Sequence, residues 1–409
     1  MNIQTSKHNT YSYLRRTNEI VSGIVEEKDY VWTFEPLRHF DALSNVDMFI
    51  ICITEQCNLR CSYCCYSGTY TNNRAHSNLS MTEDDVNSII EFIKKTVQGK
   101  SVRIAFYGGE PLTQFSLLQS AIMKATDKLG GGTNFSISTN GTLLSNDKVE
   151  WLVRHKVDLY ISIDGTTRFH DANRKDICGQ GTFGRIHKAL EYIQRNHPDF
   201  FKHVYLMMTL SSIENLDKIA EQWNLDSILC KIAPTMISGL APNFNKGVAK
   251  ADWNQVKEQH LRILTLYEQH PEYLVLKTFF SQCLSYWKNR PIVEADGPIP
   301  MATCLPLNTK LYIDAKMQIG VCEKISDKCR IGNIETGIDW DNANSMVGRY
   351  YEKRKKRCTT CPAIRMCDLC LTAVEFNDNQ WDILCHNERI YAQLNMLLFC
   401  EMAERGMVS

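Results

Sequence analysis

Cys57, Cys61 and Cys64 form a C-x3-C-x2-C set a few residues after the apolar run Met48 to Ile53. Cysteine thiolates are the usual holders of iron–sulfur clusters, and a [4Fe–4S] cube normally takes four. Only three are local here, so a cube bound at this loop keeps one iron open to another ligand. A structural zinc ion is the rival, but it wants a closed tetrahedral set of four donors. Cys65 is in reach as a fourth, yet adjacent cysteines rarely aim at one metal. Spacing and position favour the open iron–sulfur site.

Cysteines return late in the chain as Cys304, Cys322, then Cys358-x2-Cys361-x5-Cys367-x2-Cys370, and last Cys385. Zinc ribbons separate their C-x2-C pairs by about 15–20 residues. Ferredoxin-like runs crowd their cysteines and divide them between two clusters, and the spacing favours that reading over zinc. Cys52, Cys230 and Cys400 lie in apolar segments and read as small buried hydrophobes. Cys178 sits in a loop and is a candidate hydrogen donor only.

The elements that must position these thiols follow a rhythm. Strand-like runs recur at Met48–Ile53, Val102–Tyr107, Asn134–Ser138, Leu159–Ile163, Val204–Leu210 and Ile228–Ala233. Helix-like segments lie between them at Thr82–Val97, Gln114–Leu129, Asn146–His155, Phe183–Asn196 and Ile213–Trp223. Thr82 and Asp85 stand at capping-box spacing. Alternating strands and helices predict an α/β fold with a parallel sheet, here a partial (β/α)6 barrel with chemistry at the C-terminal ends of its strands. Four successive strands end in polar motifs: the three cysteines, Gly108-Gly109-Glu110-Pro111, Asn140-Gly141, and Ser162-Ile163-Asp164-Gly165. Taken alone, Gly-Gly-Glu-Pro is a turn signal; four such endings together describe a site.

Composition sets the outer limits. The chain has 409 residues, with 46 Lys+Arg against 46 Asp+Glu, so no global basic field recruits nucleic acid or an anionic membrane. The basic run Lys353 to Arg357 reads as a solvated helix face or turn. No apolar run approaches the roughly twenty residues of a membrane span. The polar N-terminus has no secretory signal, and 17 cysteines without a leader read as metal or redox ligands in a reducing, cytoplasmic compartment.

With Tyr63, the first set becomes C-x3-C-x-aromatic-C, and the chain resembles radical S-adenosylmethionine (SAM) enzymes. That resemblance implies SAM chelated on the open iron and cleaved reductively to a 5′-deoxyadenosyl radical. Gly108-Gly109-Glu110-Pro111 matches the family's GGEP motif, whose segment holds the SAM amino group. Ser162-Ile163-Asp164-Gly165 with His170-Asp171 and Arg174 resembles the S-x-D-G…H-D-x-x-R pattern of peptide- and protein-modifying members. By that resemblance Ser162 and Arg174 contact the SAM carboxylate or ribose, and Asn140 lies near the ribose. Asp164 is a candidate for the same cofactor site; the alternative makes Asp164 and Asp171 turn and cap residues, a reading that weighs equally for Asp171.

The second cysteine field resembles the SPASM domain, an extension with two auxiliary [4Fe–4S] clusters found in radical SAM peptide maturases. Tyr312-Ile313-Asp314 looks like its first hairpin. Met317 replaces its usual glycine, and Cys367 and Cys370 are spaced x2 where x3 is commoner. Carried over, Cys358, Cys361, Cys367 and Cys385 close the outer cluster, while Cys304, Cys322 and Cys370 hold the inner one. Lys310 stands near the family's missing eighth cysteine. The fourth inner position is thus open, or filled by Cys283 or Cys329.

The expected organisation is an N-terminal cap segment (1–46), the barrel (47–240), a helical bridge (241–295), the SPASM domain (296–386) and a C-terminal helix (387–409). The resemblance implies three [4Fe–4S] clusters and an electron donor such as flavodoxin or ferredoxin, with no nucleic acid or membrane partner. It also implies a ribosomally synthesised precursor peptide, Cys-containing if the product is a thioether cross-link, the preferred outcome. Carbon–carbon or carbon–oxygen cross-linking and formylglycine formation are the alternatives. A non-catalytic, zinc-stapled peptide-binding protein is the rival of another class.

Overall fold

The computed structural model describes residues 1–27, 31–34, 39–68, 70, 74–240, 249–292, 307–324, 329–371 and 380–408. They fall into two compact units. One is Phe40–Lys246 with Pro306–Ala343, the other Met1–His39, Gly247–Leu305 and Asn344–Ser409. Cys304 and the expected boundaries at 240/241 and 295/296 lie outside the described residues, wholly or in part. No helix among the described residues is long and apolar enough to cross a membrane.

The chain opens with β1 (Asn2–Gln4), β2 (Thr10–Leu14) and β3 (Glu19–Ser22), an antiparallel sheet in that order. The first unit is then built on six parallel strands: β4 (Met48–Thr54), β5 (Val102–Gly108), β6 (Thr133–Thr139), β7 (Asp158–Ser162), β8 (Val204–Leu210) and β9 (Pro234–Gly239). Between them lie α1 (Glu83–Val97), α2 (Phe115–Leu129), α3 (Asn146–Arg154), α4 (Thr167–Asn173), α5 (Phe183–Asn196) and α6 (Leu216–Leu225). This is the expected α/β arrangement with a central parallel sheet. β4 is buried along almost its whole length, as a strand covered on both faces must be. Val86, Ile89, Ile90 and Ile93 of α1 and Leu118, Ala121 and Ile122 of α2 supply part of that cover. The Thr82 capping box forms: Asp85 N–H donates to Thr82 Oγ1 at 3.2 Å, and Thr82 N–H to Asp85 Oδ2 at 2.7 Å.

The sixth strand lies later than the apolar run suggests. Ile228–Ala233 contains a 3-10 turn, Leu229–Lys231, because Asp226 Oδ1 accepts from the N–H groups of both Ile228 and Leu229 at 2.9 Å. The strand begins instead at Pro234. A proline is tolerated as the first residue of an edge strand, and β9 is at the edge. Short apolar runs do not distinguish such a turn from a strand.

After α7 (Trp253–Gln269) and α8 (Leu274–Asn289), β10 (Lys310–Ile313) joins the barrel sheet, pairing parallel to β4. β11 (Gln318–Gly320), β12 (Arg330–Asn333) and β13 (Gly337–Ile338) continue it antiparallel. The hairpin expected at Tyr312–Asp314 is therefore present, as an extension of the same sheet. Met317 takes the left-handed conformation, φ 64°.

The second unit gathers α7, α8, α9 (Trp340–Cys358, entering it at Asn344), α10 (Trp381–Glu404) and the N-terminal sheet. The helix expected from residue 387 or 388 starts at Trp381, since Trp381 and Leu384 are already buried on its inner face. Ile3 and Tyr13 share a core with Trp287, Met396, Leu397 and Cys400, and Tyr13 meets Trp287 edge-on at 5.4 Å. Tyr11 to Phe34 is expected to make a short helix and a strand or hairpin as part of the N-terminal cap; its described residues carry most of β2 and all of β3 and no helix, and they belong to this unit, where Trp32 is buried against Cys358 and Ile364.

Candidate active site

Cys57 follows β4 by three residues, and the loop that carries it is tied down by backbone pairing. Arg60 N–H donates to Lys175 O at 2.7 Å and Ser62 N–H to Asn173 O at 3.0 Å. Cys57, Cys61 and Cys64 are half-buried and close enough for each to feel another's charge. Backbone N–H groups of Leu59 and Tyr66 donate to Cys57 Sγ and Cys64 Sγ, each at 3.4 Å. Burial pushes Cys57 up to about 12 and, against the pull of Arg174, Cys61 up to about 11. A hydrogen bond with Cys65, then burial, pushes Cys64 up to about 12. Empty, these thiols stay protonated at neutral pH; a bound cluster must displace their protons. A cavity of about 280 Å³ opens beside them, lined by Gln56, Cys57, Asn58, Arg60, His76 and Thr113 among others.

The Gly-Gly-Glu-Pro turn explains its own glycines. Gly109 N–H donates to Thr54 O at 2.8 Å and Glu110 N–H to Gln56 O at 2.7 Å, so the turn lies against the chain leading into Cys57. A Cβ at Gly108 would stand 2.2 Å from Thr54 O, and one at Gly109 2.0 Å from Gln56 O. Gly108 also needs φ 138°, open to glycine. Glu110 is fully buried and acts as a strut, accepting from Thr139 Oγ1 and Asn140 N–H at 2.7 Å and from Leu112 N–H at 3.0 Å. Burial pushes its carboxyl up, against those three bonds. Pro111 starts the following 3-10 turn, where its missing N–H costs nothing. Asn140 reaches the cysteine loop, donating to Asn58 Oδ1 at 2.9 Å with Cys57 Sγ at 4.0 Å.

Beyond β7, Asp164 is a hub. Arg174 donates through Nε and Nη2 to its two carboxylate oxygens at 2.9 and 3.1 Å, a bidentate pair only 8% and 3% exposed. Tyr63 O–H also donates to Asp164, and Thr209 N–H does so at 2.9 Å. Arg174 lies 5.3 Å over the Tyr63 ring. The fork expected to meet a SAM carboxylate is thus engaged by Asp164, while its charge faces Cys61. Asp171 is a cap: its Oδ1 accepts from Thr182 and Phe183 N–H at 2.7 and 2.9 Å, at the start of α5. His170 is fully buried between Asp164 N–H and Thr182 Oγ1, and burial followed by Arg174 lowers it to about 4. Ser162 closes β7, half-buried. Cys178 is exposed in its loop.

In the second unit Cys358 feels the charge of Cys361 and Cys385, Cys367 that of Cys358, and Cys385 that of Cys361. Burial pushes Cys358 up to about 11 and Cys367 up to about 12. Cys322 lies in the first unit and Cys370 in the second. Lys310, expected near a vacant cluster position, pairs with Glu323 at 3.1 Å, and Cys322 Sγ is 3.5 Å from the same carboxylate. Cys329 is buried, and burial pushes Cys283 up to about 12.

Among the described residues no three His, Cys, Asp or Glu side chains converge closely enough to hold a single metal ion. Two N–H···S bonds and a cationic Arg174 beside Cys61 supply the compensation a thiolate-held cluster needs. Sequence reasoning named most of these groups but missed His76, whose Nε2 lies 3.5 Å from Cys64 Sγ; no motif marks it.

Comparison with known proteins agrees with this geometry. Residues 51–222 match the family model of the Radical SAM superfamily. A cysteine-type anaerobic sulfatase-maturating enzyme of Clostridium perfringens is 29% identical over 40% of this chain, a match that spans 44% of that enzyme's length. The radical SAM cyclopropyl synthase TigE of Paramaledivibacter caminithermalis is 24% identical over 95% of this chain and 79% of its own. Among solved structures, native anSMEcpe with bound AdoMet superposes with a TM-score of 0.60 at 17% identity, covering 88% of this chain and 97% of that one. Streptococcus suis SuiB bound to precursor peptide SuiA superposes at 0.51 and 16%, covering 80% and 71%. The stretch that matches the Radical SAM superfamily model, residues 51–222, is thus the one that carries the three-cysteine loop, the Gly108–Pro111 turn and the Asp164–Arg174 pair.

Proposed function

We propose that this chain is a radical SAM enzyme that modifies a ribosomally synthesised peptide or protein, with a thioether to a substrate cysteine as its product. The observation that carries the enzymatic reading is the convergence at one end of the parallel sheet of three thiols, the Gly108–Pro111 turn and the Asp164–Arg174–Tyr63 group. Cys57, Cys61 and Cys64 would hold the SAM-binding cube. Bound there, SAM supplies by reductive cleavage a 5′-deoxyadenosyl radical able to take hydrogen from an unactivated carbon. Gly108 and Gly109 let the turn seat the cysteine loop, Glu110 fixes Asn140 beside it, and Arg174 sets positive charge next to Cys61. Cys358, Cys361, Cys367 and Cys385 would hold the outer auxiliary cluster. The SPASM resemblance and the thiol sets support two auxiliary clusters, making three in all.

The peptide substrate is supported by likeness to sulfatase-maturating enzymes and to a structure holding a precursor peptide. Carbon–carbon bond formation is the second reading, favoured by the match of a cyclopropyl synthase to nearly the whole chain. The test is anaerobic incubation of reconstituted protein with reductant and SAM. The wild type should release 5′-deoxyadenosine, and Ala at Cys57, Cys61 or Cys64 should abolish it; release at the native rate from any of these variants overturns the proposal. With a candidate peptide, a thioether consumes the substrate thiol, whereas formylglycine leaves an aldehyde that hydrazides label.

A further inference from the structure

The cysteine loop has a side-chain hydrogen-bond donor that belongs to none of its motifs. His76 Nε2 lies 3.5 Å from Cys64 Sγ, and this sulfur already accepts from Tyr66 N–H at 3.4 Å. The ring is held by a pinned segment: His76 N–H donates to Tyr66 O at 2.8 Å, Ala75 bridges to Ser67, and Ser80 bridges to Thr54. Ser77 Oγ fastens the same segment to Glu55 at 2.7 Å. The other ring nitrogen, Nδ1, is buried with no partner among the described residues. A buried N–H without an acceptor is rarer and costlier than a buried acceptor left bare. That geometry favours the tautomer with its proton on Nε2, directed at the sulfur 3.5 Å away; the opposite tautomer would set a nitrogen lone pair against a thiolate.

We propose that His76 is a positioning residue for the SAM-binding cluster: its Nε2–H donates to the Cys64 thiolate and raises the cluster's reduction potential. The inference rests on the reading that Cys57, Cys61 and Cys64 hold a [4Fe–4S] cube. Hydrogen bonds to cluster sulfurs are among the protein's levers on such potentials, because a donor withdraws charge from the sulfur and favours the more negative, reduced cluster. The backbone donors at Leu59 and Tyr66 act in the same sense, but a side chain can be substituted without breaking the loop.

The test is a redox titration of full-length, reconstituted protein, followed by the EPR signal that changes when SAM is added. His76→Leu keeps the volume and removes the donor; His76→Gln restores an N–H. The expected result is a potential lower in His76→Leu by roughly a tenfold change in the oxidised-to-reduced ratio, ~59 mV for one electron, with iron content unchanged and recovery in His76→Gln. An equal potential in wild type and His76→Leu overturns the inference alone. So does loss of the SAM-responsive signal in both variants, which would make the imidazole a ligand or a purely structural part. A wild type that shows no SAM-responsive cluster signal overturns the cluster reading and the inference with it.

Discussion

At the scale of single residues, the site is organised by buried charges that satisfy one another. Asp164 and Arg174 meet in bidentate fashion with hardly any solvent. Breaking such a pair from one side leaves a bare buried charge and costs about 3–5 kcal/mol. Asp164→Asn should therefore lower unfolding free energy by that order in denaturant titrations. His170 gives a pH dependence with a definite sign. Its folded value is lowered from 6.5 to about 4 by burial and then by Arg174. As pH falls through 6.5 the unfolded chain takes up a proton that the folded chain refuses, so stability present above 6.5 is lost on the way down to 4. One pKa unit is worth about 1.4 kcal/mol, so the group contributes a loss of about 2 kcal/mol between pH 6.5 and 5. Unfolding measured across that interval should show the slope in wild type and lack it in His170→Gln; equal slopes would remove His170 as the cause.

At the scale of elements, close backbone approach decides what each turn tolerates. Gly109→Ala drives a Cβ to 2.0 Å from Gln56 O. Such overpacking costs about 1–3 kcal/mol, and here it pushes apart the turn and the strand that presents Cys57; iron per chain should fall by about four if the cube is lost. The β10–β11 hairpin offers the opposite case. Met317 holds φ 64°, a conformation costing a non-glycine residue roughly 1–2 kcal/mol, against which glycine's extra chain entropy takes back about 0.5–1 kcal/mol. Met317→Gly should therefore stabilise the protein by about 0.5–1 kcal/mol, read as a higher denaturant midpoint at unchanged slope. Much of this was legible beforehand: the alternation of strands and helices, the Thr82 capping box, and the motifs at the strand ends. What was not legible depends on partners distant in sequence. Asp226 accepts two local N–H groups and turns Ile228–Ala233 into something other than the strand its apolar residues suggest. β10 finds β4 across more than 250 residues of chain, and no periodicity announces that pairing. The engagement of Arg174 by Asp164 was equally hidden, since the motif names both residues without saying that they bind each other.

At the scale of the whole molecule, the thiols divide between two compact units, and that division separates two functions experimentally. Cys57, Cys61 and Cys64 lie in the unit built on the parallel sheet; Cys358, Cys361, Cys367 and Cys385 lie in the other. Within the second unit the four thiols lie on two segments: the loop after α9, which also receives Trp32 through its N–H to Thr359 O at 2.7 Å, and the first turns of α10, which carry Cys385 and are joined to that loop by Asp368 N–H donating to Glu388 at 3.2 Å. Burial pushes the Cys358 and Cys367 thiols up, so a cluster held there as proposed would release their protons, and its binding free energy would become folding free energy for this region. In the proposed assignment Cys385→Ala removes one of the outer cluster's four ligands without touching the first unit. Iron should then fall from roughly twelve to roughly eight per chain, as loss of one cube among three requires, and the thermal midpoint should drop. Reductive cleavage of SAM should continue, because none of its thiols has changed. Should 5′-deoxyadenosine formation vanish with the outer cluster, the two thiol sets are not independent, and the division of labour proposed for the units fails.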